Sequence, residues 1–367
     1  MEEKYIATLV LHALGDTIGY NNGKWEFNYF NEQVSISVGV DILCEFISLG
    51  GINHINLEDW RVSDDTILHM AIAKSIIKNI DKNSIYEYIK KEIIKKRNKY
   101  FKHIYKGEYE RHPGITTMKY IKYFEKNKDG RNMPYDKYSG GSGASMRTSC
   151  IGLMYYKKEN IDDLIKFSIE SSKLTHNSAI GYLGGMTSAY FTSLAIRKIN
   201  MIKWPRKLLK LLKSNKIQKY INEDSKNDHN EFIMKWEDYV LYRFNNGKII
   251  RGMTNSHITI RALYHYERFT LHSLLDNDKI NNKIIGSNGF SSVIMAYDAL
   301  LDAENNWEKI IIYAAFHYGD SDTVAAIACS WYGALYGFID VPKKNLEYLE
   351  FKDKLYKLGE KIYEKYY

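Results

Sequence analysis

Residues 63–77, SDDTILHMAIAKSII, and residues 319–338, GDSDTVAAIACSWYGALYGF, share one arrangement: a short cluster of acids and hydroxyls, then an apolar run rich in small side chains. Both read as helices that begin at the acids. Carboxylates packed this densely beside apolar helices repel one another and lose hydration when buried. A hard divalent cation removes both penalties, and aspartate with hydroxyl oxygens suits Mg²⁺, Mn²⁺ or Ca²⁺ better than zinc. An N-terminal cap explains either cluster taken alone, because Ser and Asp are favoured there. At this level the ligand and cap readings both stand.

Outward from these two stretches, helical periodicity dominates. It predicts helices over 3–18, 39–50, 65–79, 84–104, 115–125, 145–156, 161–173, 178–198, 205–221, 231–244, 291–302, 307–316, 323–337 and 344–365. Residues 34–38, VSISV, are the one tempting strand, and 222–230 read as an exposed polar loop. Residues 245–285 have little periodicity. Proline is scarce, at 4 residues, and no Pro/Gly/Ser-rich linker divides the chain. The expectation is an all-α protein, one domain over 1–367, with its chemistry on loops at helix ends.

The 367 residues are 45% hydrophobic, ample for a large core, and carry a net charge of +8. The basic residues are spread at helical spacing through 90–106 and 203–219 and over the last 16 positions, which fits solvated helix faces and not a nucleic-acid surface. The three cysteines, Cys44, Cys150 and Cys329, form no C-x-x-C pair, arguing against a disulfide framework and a zinc site. Their apolar neighbours suggest burial for all three. No apolar stretch approaches the length of a membrane span, and the first helix lacks the cationic start of a signal peptide. A reducing, cytoplasmic compartment fits.

Gly140-Gly141-Ser142-Gly143-Ala144-Ser145-Met146-Arg147 runs into a helical pattern. Glycines let backbone amides approach a ligand, and a helix start attracts anions, so the loop suits a diphosphate. A tight packing turn explains the same glycines. His176 sits at another helix entrance, as a ligand contact or a core histidine. Gly286-Ser287-Asn288-Gly289 is a second glycine loop before a helix, and Glu26 follows an early turn.

Taken together these blocks resemble the ADP-ribosylglycohydrolase family, most nearly its ADP-ribosylarginine hydrolase branch. The resemblance is carried by GDTIGYNNGKWEF at 15–27, WRVSDDTILHMA at 60–71, GGSGASMRTSCIGL at 140–153, SIESSKLTHNSAIGYLG at 168–184, MAYDALL at 295–301 and FHYGDSDTVAAIACSWYGALYGF at 316–338. It implies a large orthogonal helical domain with a binuclear metal cleft at helix ends, normally holding two Mg²⁺, with Mn²⁺ as the substitute. Ser63, Asp64, Asp65, Asp320, Asp322 and Thr323 would be the ligands. Gly141, Ser142, Gly143, Ala144, Ser145, Met146 and Arg147 would hold the ADP-ribose diphosphate, with His176, Gly286, Ser287 and Gly289 around the same ligand. Asp64 and Asp65 would serve catalysis, and Glu26 would match an acid near the scissile end. The implied reaction is hydrolysis of the N-glycosidic bond between ADP-ribose and protein arginine. The implied partners are ADP-ribosylated proteins and ADP-ribose, with no membrane and no nucleic acid. The alternatives are the same chemistry on serine-linked ADP-ribose or O-acetyl-ADP-ribose, or ADP-ribose binding without catalysis. One departure stands out. Where the arginine branch commonly reads Gly-His-Asp, this chain has Gly289-Phe290-Ser291, and Phe290 offers a ring that could stack on adenine or ribose.

Overall fold

Glycine at three positions decides how the two ends of the chain pack. In the computed structural model, which describes residues 1–27, 37–78, 84–104, 109–127, 133–250, 257–269 and 284–367, the first helix, Glu2–Tyr20, lies antiparallel against the helix Ser321–Tyr336. A Cβ on Gly15 would sit 2.5 Å from the Ala325 carbonyl oxygen, and one on Gly19 2.5 Å from that of Ser321. At the far end, a Cβ on Gly333 would sit 2.5 Å from the Ala7 oxygen. Only residues without a side chain permit this approach. The Ser321 hydroxyl uses the proximity, donating to the Gly19 carbonyl at 2.8 Å.

The described residues are helical except for loops and a two-residue hairpin, Phe244–Asn245 with Lys248–Ile249. The helices Asp64–Ile77, Ala179–Ile196 and Gly289–Ala303 pack around the central pair. Every residue of Ala179–Ile196 is buried, so this helix has no polar face. No helix among the described residues is long and apolar enough to cross a membrane.

Several expected elements differ. The helix expected over 145–156 is a 3-10 stretch, Ser142–Arg147, then one turn, Ile151–Met154. Arg147 donates back to the Gly143 carbonyl at 2.6 Å, holding the tight coil. The polar stretch 222–230 is no loop. Asn222 and Ser225 cap one another, and a helix runs on from Lys226 to Arg243 with His229 buried. The expected 205–221 helix breaks after Leu212, where the Ser214 hydroxyl donates to the Leu211 carbonyl. The expected 344–365 helix is Lys343–Glu347 and Lys352–Tyr366, interrupted where Phe351 adopts a left-handed φ of 63°. Ile258–Phe269 is a helix that the weak periodicity of its region concealed. Of the tempting strand, 34–36 lie outside the described residues, and Val38 begins a helix. Cys150 and Cys329 are buried, but Cys44 is exposed on that helix.

A buried ionic knot joins three helices. Asp298, on Gly289–Ala303, accepts from the Arg261 guanidinium at 2.7 Å and from the Tyr239 hydroxyl at 2.8 Å. Asp302 pairs with Arg261 and Arg243, both at 2.6 Å. Burial alone would raise the Asp298 pKa, but the two guanidiniums hold it well below the usual carboxylate range. Removing one member strands charge in the interior. Asp298→Ala is expected to destabilise the fold by about 3–5 kcal/mol in urea unfolding. A loss under about 1 kcal/mol would mean that water or neighbouring groups solvate the arginines instead.

Candidate active site

Asp16 grips the first acidic cluster from outside its own helix. Its Oδ1 accepts the Ser63 N–H at 3.0 Å, and its Oδ2 accepts the Thr66 N–H at 3.0 Å and the Thr66 hydroxyl at 2.5 Å. Orphan donors at the start of Asp64–Ile77 are thus satisfied by a buried carboxylate. The Ser63 hydroxyl accepts the Asp65 N–H at 3.1 Å, which is the cap expected of it. With the capping done by Ser63 and Asp16, the carboxylates of Asp64 and Asp65 are released from that task. Each has one buried oxygen, Oδ2, without a hydrogen-bond partner.

The second cluster is set by its neighbours. The Asp320 N–H donates to the Ile285 carbonyl at 3.0 Å, and Asp320 Oδ2 accepts the Ser142 hydroxyl at 2.8 Å. Asp322 Oδ1 accepts the Thr323 N–H at 2.8 Å. The Thr323 hydroxyl reaches across to Asp65, so the two clusters touch. Glu26 arrives from the turn after the first helix, anchored by the adjacent Phe27 N–H donating to the Gly319 carbonyl at 3.0 Å. One carboxylate oxygen each from Glu26, Asp320 and Asp322 lies within 4.8 Å of the others.

All these acids are buried, and burial pushes up the pKa of each. Asp16 is raised to about 6 and Glu26 to about 7. Asp64, Asp65 and Asp322 are raised well above the normal range, first by burial and then by the other carboxylates around them. His112 Nδ1, 3.0 Å from Glu26 Oε2, partly offsets the rise at Glu26. Concentrated acids with orphaned oxygens are a fit environment for a hard divalent cation. The cluster could hold a metal.

The two glycine loops are stitched together beside the acids. Gly141 and Asn288 form an antiparallel bridge, Ser142 N–H donates to the Ser287 carbonyl at 3.0 Å, and Gly289 N–H to the Gly140 carbonyl at 2.9 Å. Gly286, at φ +84°, backs Asp320: a Cβ there would meet the Asp320 carbonyl oxygen at 3.0 Å. His176 stands against the first loop, and a Cβ on Gly143 would meet its ring at 2.7 Å. Burial, and then the Arg147 charge, lower the His176 pKa to about 3, so its ring is neutral at physiological pH.

A cleft of about 130 Å³ joins these groups. Of the residues singled out in the sequence, Glu26, Asp64, Asp65, Gly141, Ser142, Gly143, Met146, His176, Asp320, Asp322 and Thr323 line it. Ser63, Ala144, Ser145, Arg147, Gly286, Ser287 and Gly289 are not among its lining residues. Arg147 donates to the carbonyls of Gly143 and Ser171, at 2.6 and 3.2 Å. Phe290, suggested as a stacking ring, is not among the residues that line the cleft. Its ring is buried, with Lys235 Nζ 5.7 Å from its centroid, and Ser291 closes a capping box with Asn288. Sequence reasoning gave no role to Asp16 or to the wall formed by His112, Gly114, Ile115, Thr116 and Thr117. Asp16 had a signal, an acid between Gly15 and Gly19 in an apolar helix. For His112 the only signal is the Pro113-Gly114 turn that follows it.

Comparison with known proteins agrees with this arrangement. The profile described as ADP-ribosylglycohydrolase matches residues 1–367. A protein of Acanthamoeba polyphaga mimivirus, provisionally named an ADP-ribosyl glycohydrolase, is 37% identical over 358 residues, covering 93% of this chain and 64% of its own length. The chain therefore spans just under two thirds of that relative. The ADP-ribosylhydrolase ARH1 of Dictyostelium discoideum is 34% identical over 387 residues, 98% of this chain and 94% of its own. A solved structure titled as an ADP-ribosylglycohydrolase-related protein complex shares the fold, with a TM-score of 0.60 at 15% identity over 99% of this chain and 98% of the other.

Two expectations follow from the site. A carboxyl whose pKa is raised by folding binds a proton in the native state that the unfolded chain releases. Its stabilising effect is complete below the unfolded value, about pH 4, and is lost as pH rises through the folded value. For Asp16 and Glu26 that window closes at about pH 6 and about pH 7. A cation among the acids competes with those protons. Added Mn²⁺ should therefore raise Tm more at about pH 8 than at about pH 5.5, relative to EDTA. Equal gains at both values would count against cation binding by these acids. Separately, Gly143→Val should displace the His176 ring and weaken binding of free ADP-ribose by roughly tenfold or more in calorimetry. Unchanged affinity in a folded variant would leave the loop as a packing turn only.

Proposed function

The chain belongs to the ADP-ribosylglycohydrolase family, and from that premise we propose that it is a Mg²⁺-dependent hydrolase that removes ADP-ribose from protein arginine. The observation that carries this reading is the meeting, in one cleft, of five buried carboxylates and the Gly141–Gly143 loop. The residues we assign to a pair of Mg²⁺ ions are Asp64, Asp65, Asp320 and Asp322, with the hydroxyls of Ser63 and Thr323. Bound there, the metal would supply Lewis-acid charge for the ribose diol and lower the pKa of the attacking water.

The protein's own groups do the rest. The amides and small side chains of Gly141–Gly143 approach the diphosphate closely, with the neutral His176 ring as the wall behind them. This binding holds the anomeric carbon against the acids, so the reacting atoms meet without further entropy loss. Asp65 Oδ2, buried and without a partner, is the atom we assign to accept a proton from the attacking water, with Asp64 as the neighbouring carboxylate. Charge developing on the ribose as the bond breaks has oxocarbenium character and is favoured by the surrounding carboxylates. We assign Glu26 to the scissile end. His112 joins it to solvent, with its own side chain 46% exposed, which gives protons a route to and from the cleft. No covalent intermediate is required.

The test is release of ADP-ribose from arginine-modified protein in Mg²⁺ and then in EDTA, beside a matched serine-linked substrate. We expect kcat/KM to favour arginine, because specificity is a difference in transition-state stabilisation. Asp65→Asn and Asp322→Asn should each lower kcat by at least roughly a hundredfold with the fold retained by circular dichroism. A serine preference would overturn the linkage assigned. Tight ADP-ribose binding without turnover in Mg²⁺ would make this a binding protein.

A further inference from the structure

The corner Glu110–Pro113 carries two consecutive non-glycine residues in the left-handed region, Arg111 at φ 69° and His112 at φ 46°. Such residues cost of order 1–3 kcal/mol each and persist only where surrounding contacts over-determine them. The contacts around Arg111 are of that kind. Its guanidinium is buried and pairs with both carboxylate oxygens of Glu350, at 2.8 and 2.9 Å. The same group donates to the Val62 carbonyl at 2.5 Å, while Glu350 Oε2 accepts the Val62 N–H at 3.1 Å. Arg111 and Glu350 therefore close a ring around the peptide groups of Val62, one residue before the Ser63 cap. The Arg111 carbonyl accepts the Asp64 N–H at 3.0 Å. The rings of Tyr100 and Phe351 lie 5.6 and 5.9 Å from the guanidinium carbon. Phe351 is itself left-handed, at the break between the last two helices, next to Glu350.

The second left-handed residue faces the opposite way. His112 places Nδ1 against Glu26, and the residues just beyond it, from Gly114 to Thr117, line the cleft. The two side chains thus leave the corner for different partners, Arg111 for Glu350 and His112 for Glu26. Resting on the metal-cleft reading above, we propose that Arg111 and Glu350 are positioning residues. Their ion pair fixes the Val62–Asp64 backbone and, through the strained corner, the His112–Glu26 contact, so that acids from separate parts of the chain converge on one cation-binding geometry. Neither residue lines the cleft, and neither touches the substrate. Arg111 is suited to the task because a planar guanidinium binds a carboxylate through two parallel N–H groups, which a lysine cannot do.

The test uses the full chain and Mn²⁺ as probe. Arg111→Lys keeps the charge and loses the fork; Glu350→Gln keeps the size and loses the charge. Outer-shell partners of metal ligands typically govern affinity or activity by 10- to 100-fold. We expect both variants to bind Mn²⁺ roughly 10- to 100-fold more weakly in calorimetry and to lose kcat by a similar factor. KM for the ADP-ribosylated substrate should stay within about threefold, since the diphosphate loop is untouched. Leu208→Ala, a core change on the helix Trp204–Leu212, lowers stability away from the cleft and should leave Mn²⁺ affinity unchanged. Mn²⁺ affinity and kcat within about twofold of wild type in a folded variant would overturn the proposal. So would an equal loss of Mn²⁺ affinity in Leu208→Ala, or failure of both Arg111→Lys and Glu350→Gln to fold, since each means that stability alone is at stake. If the wild-type chain binds no Mn²⁺, or Asp65→Asn binds it equally well, the metal-cleft reading itself fails and takes the clamp's role with it.

Discussion

A single turn of the first helix, Gly15-Asp16-Thr17-Ile18-Gly19, reaches in two directions at once, and the candidate site depends on both. From one side of the turn, Asp16 binds the start of the Asp64 helix through three hydrogen bonds. From the other, Gly15 and Gly19 present bare backbone to Ser321 and Ala325, so the second acidic cluster lies against the same turn. A side chain at either glycine would push the Ser321 helix away. An apolar residue at 16 would leave buried amide donors unmet, at a cost of about 1–3 kcal/mol apiece. The convergence of the acids is thus a consequence of helix packing rather than of any attraction between the acids, which repel.

That repulsion has an outlet only in what the cleft binds. Protons relieve it at low pH, as the raised pKa values of Asp16 and Glu26 express. A divalent cation relieves it at neutral pH and leaves the carboxylates ionised, as a base must be. The interior elsewhere handles charge differently. Asp298 and Asp302 are paired within the protein with Arg243 and Arg261, and the two guanidiniums hold Asp298 ionised without any ligand. Two buried acidic groups in one fold therefore follow opposite rules. One is internally compensated and structural, and the other is uncompensated and open to a cleft. No lysine or arginine is among the described residues that line the cleft, where His112 meets Glu26, and that difference separates the two groups.

Function at such a site is a matter of backbone as much as of acids. Ser142 serves both parts of the cleft, since its hydroxyl binds Asp320 while its loop is bridged to Asn288. A ligand pressing on the glycine loop would therefore bear directly on an acid. Phe290 and Ser291, where the chain departs from the Gly-His-Asp pattern, are buried in helix packing and capping rather than turned toward the cleft.

The helical class, most helix positions, the two acidic clusters and both glycine loops are legible in the amino-acid order. Those signals are local: apolar spacing at helical period, acids before a helix, glycines at a turn. The same order marks the acids as an electrostatic problem. Tertiary contacts settle the places where local signals compete or run out. The 145–156 and 344–365 stretches carry helical periodicity but break, because Arg147 folds back on Gly143 and because Phe351 turns left-handed as Glu350 reaches Arg111. The polar run after Asn222 reads as loop but is helix, since one mutual cap between Asn222 and Ser225 starts it. Asp16 and His112 carry faint local signals, and Arg111 and Glu350 have ordinary neighbours in the sequence. Their roles come from contacts with residues tens to hundreds of positions away, such as Arg111 with Glu350, and no local pattern encodes a partner at that distance.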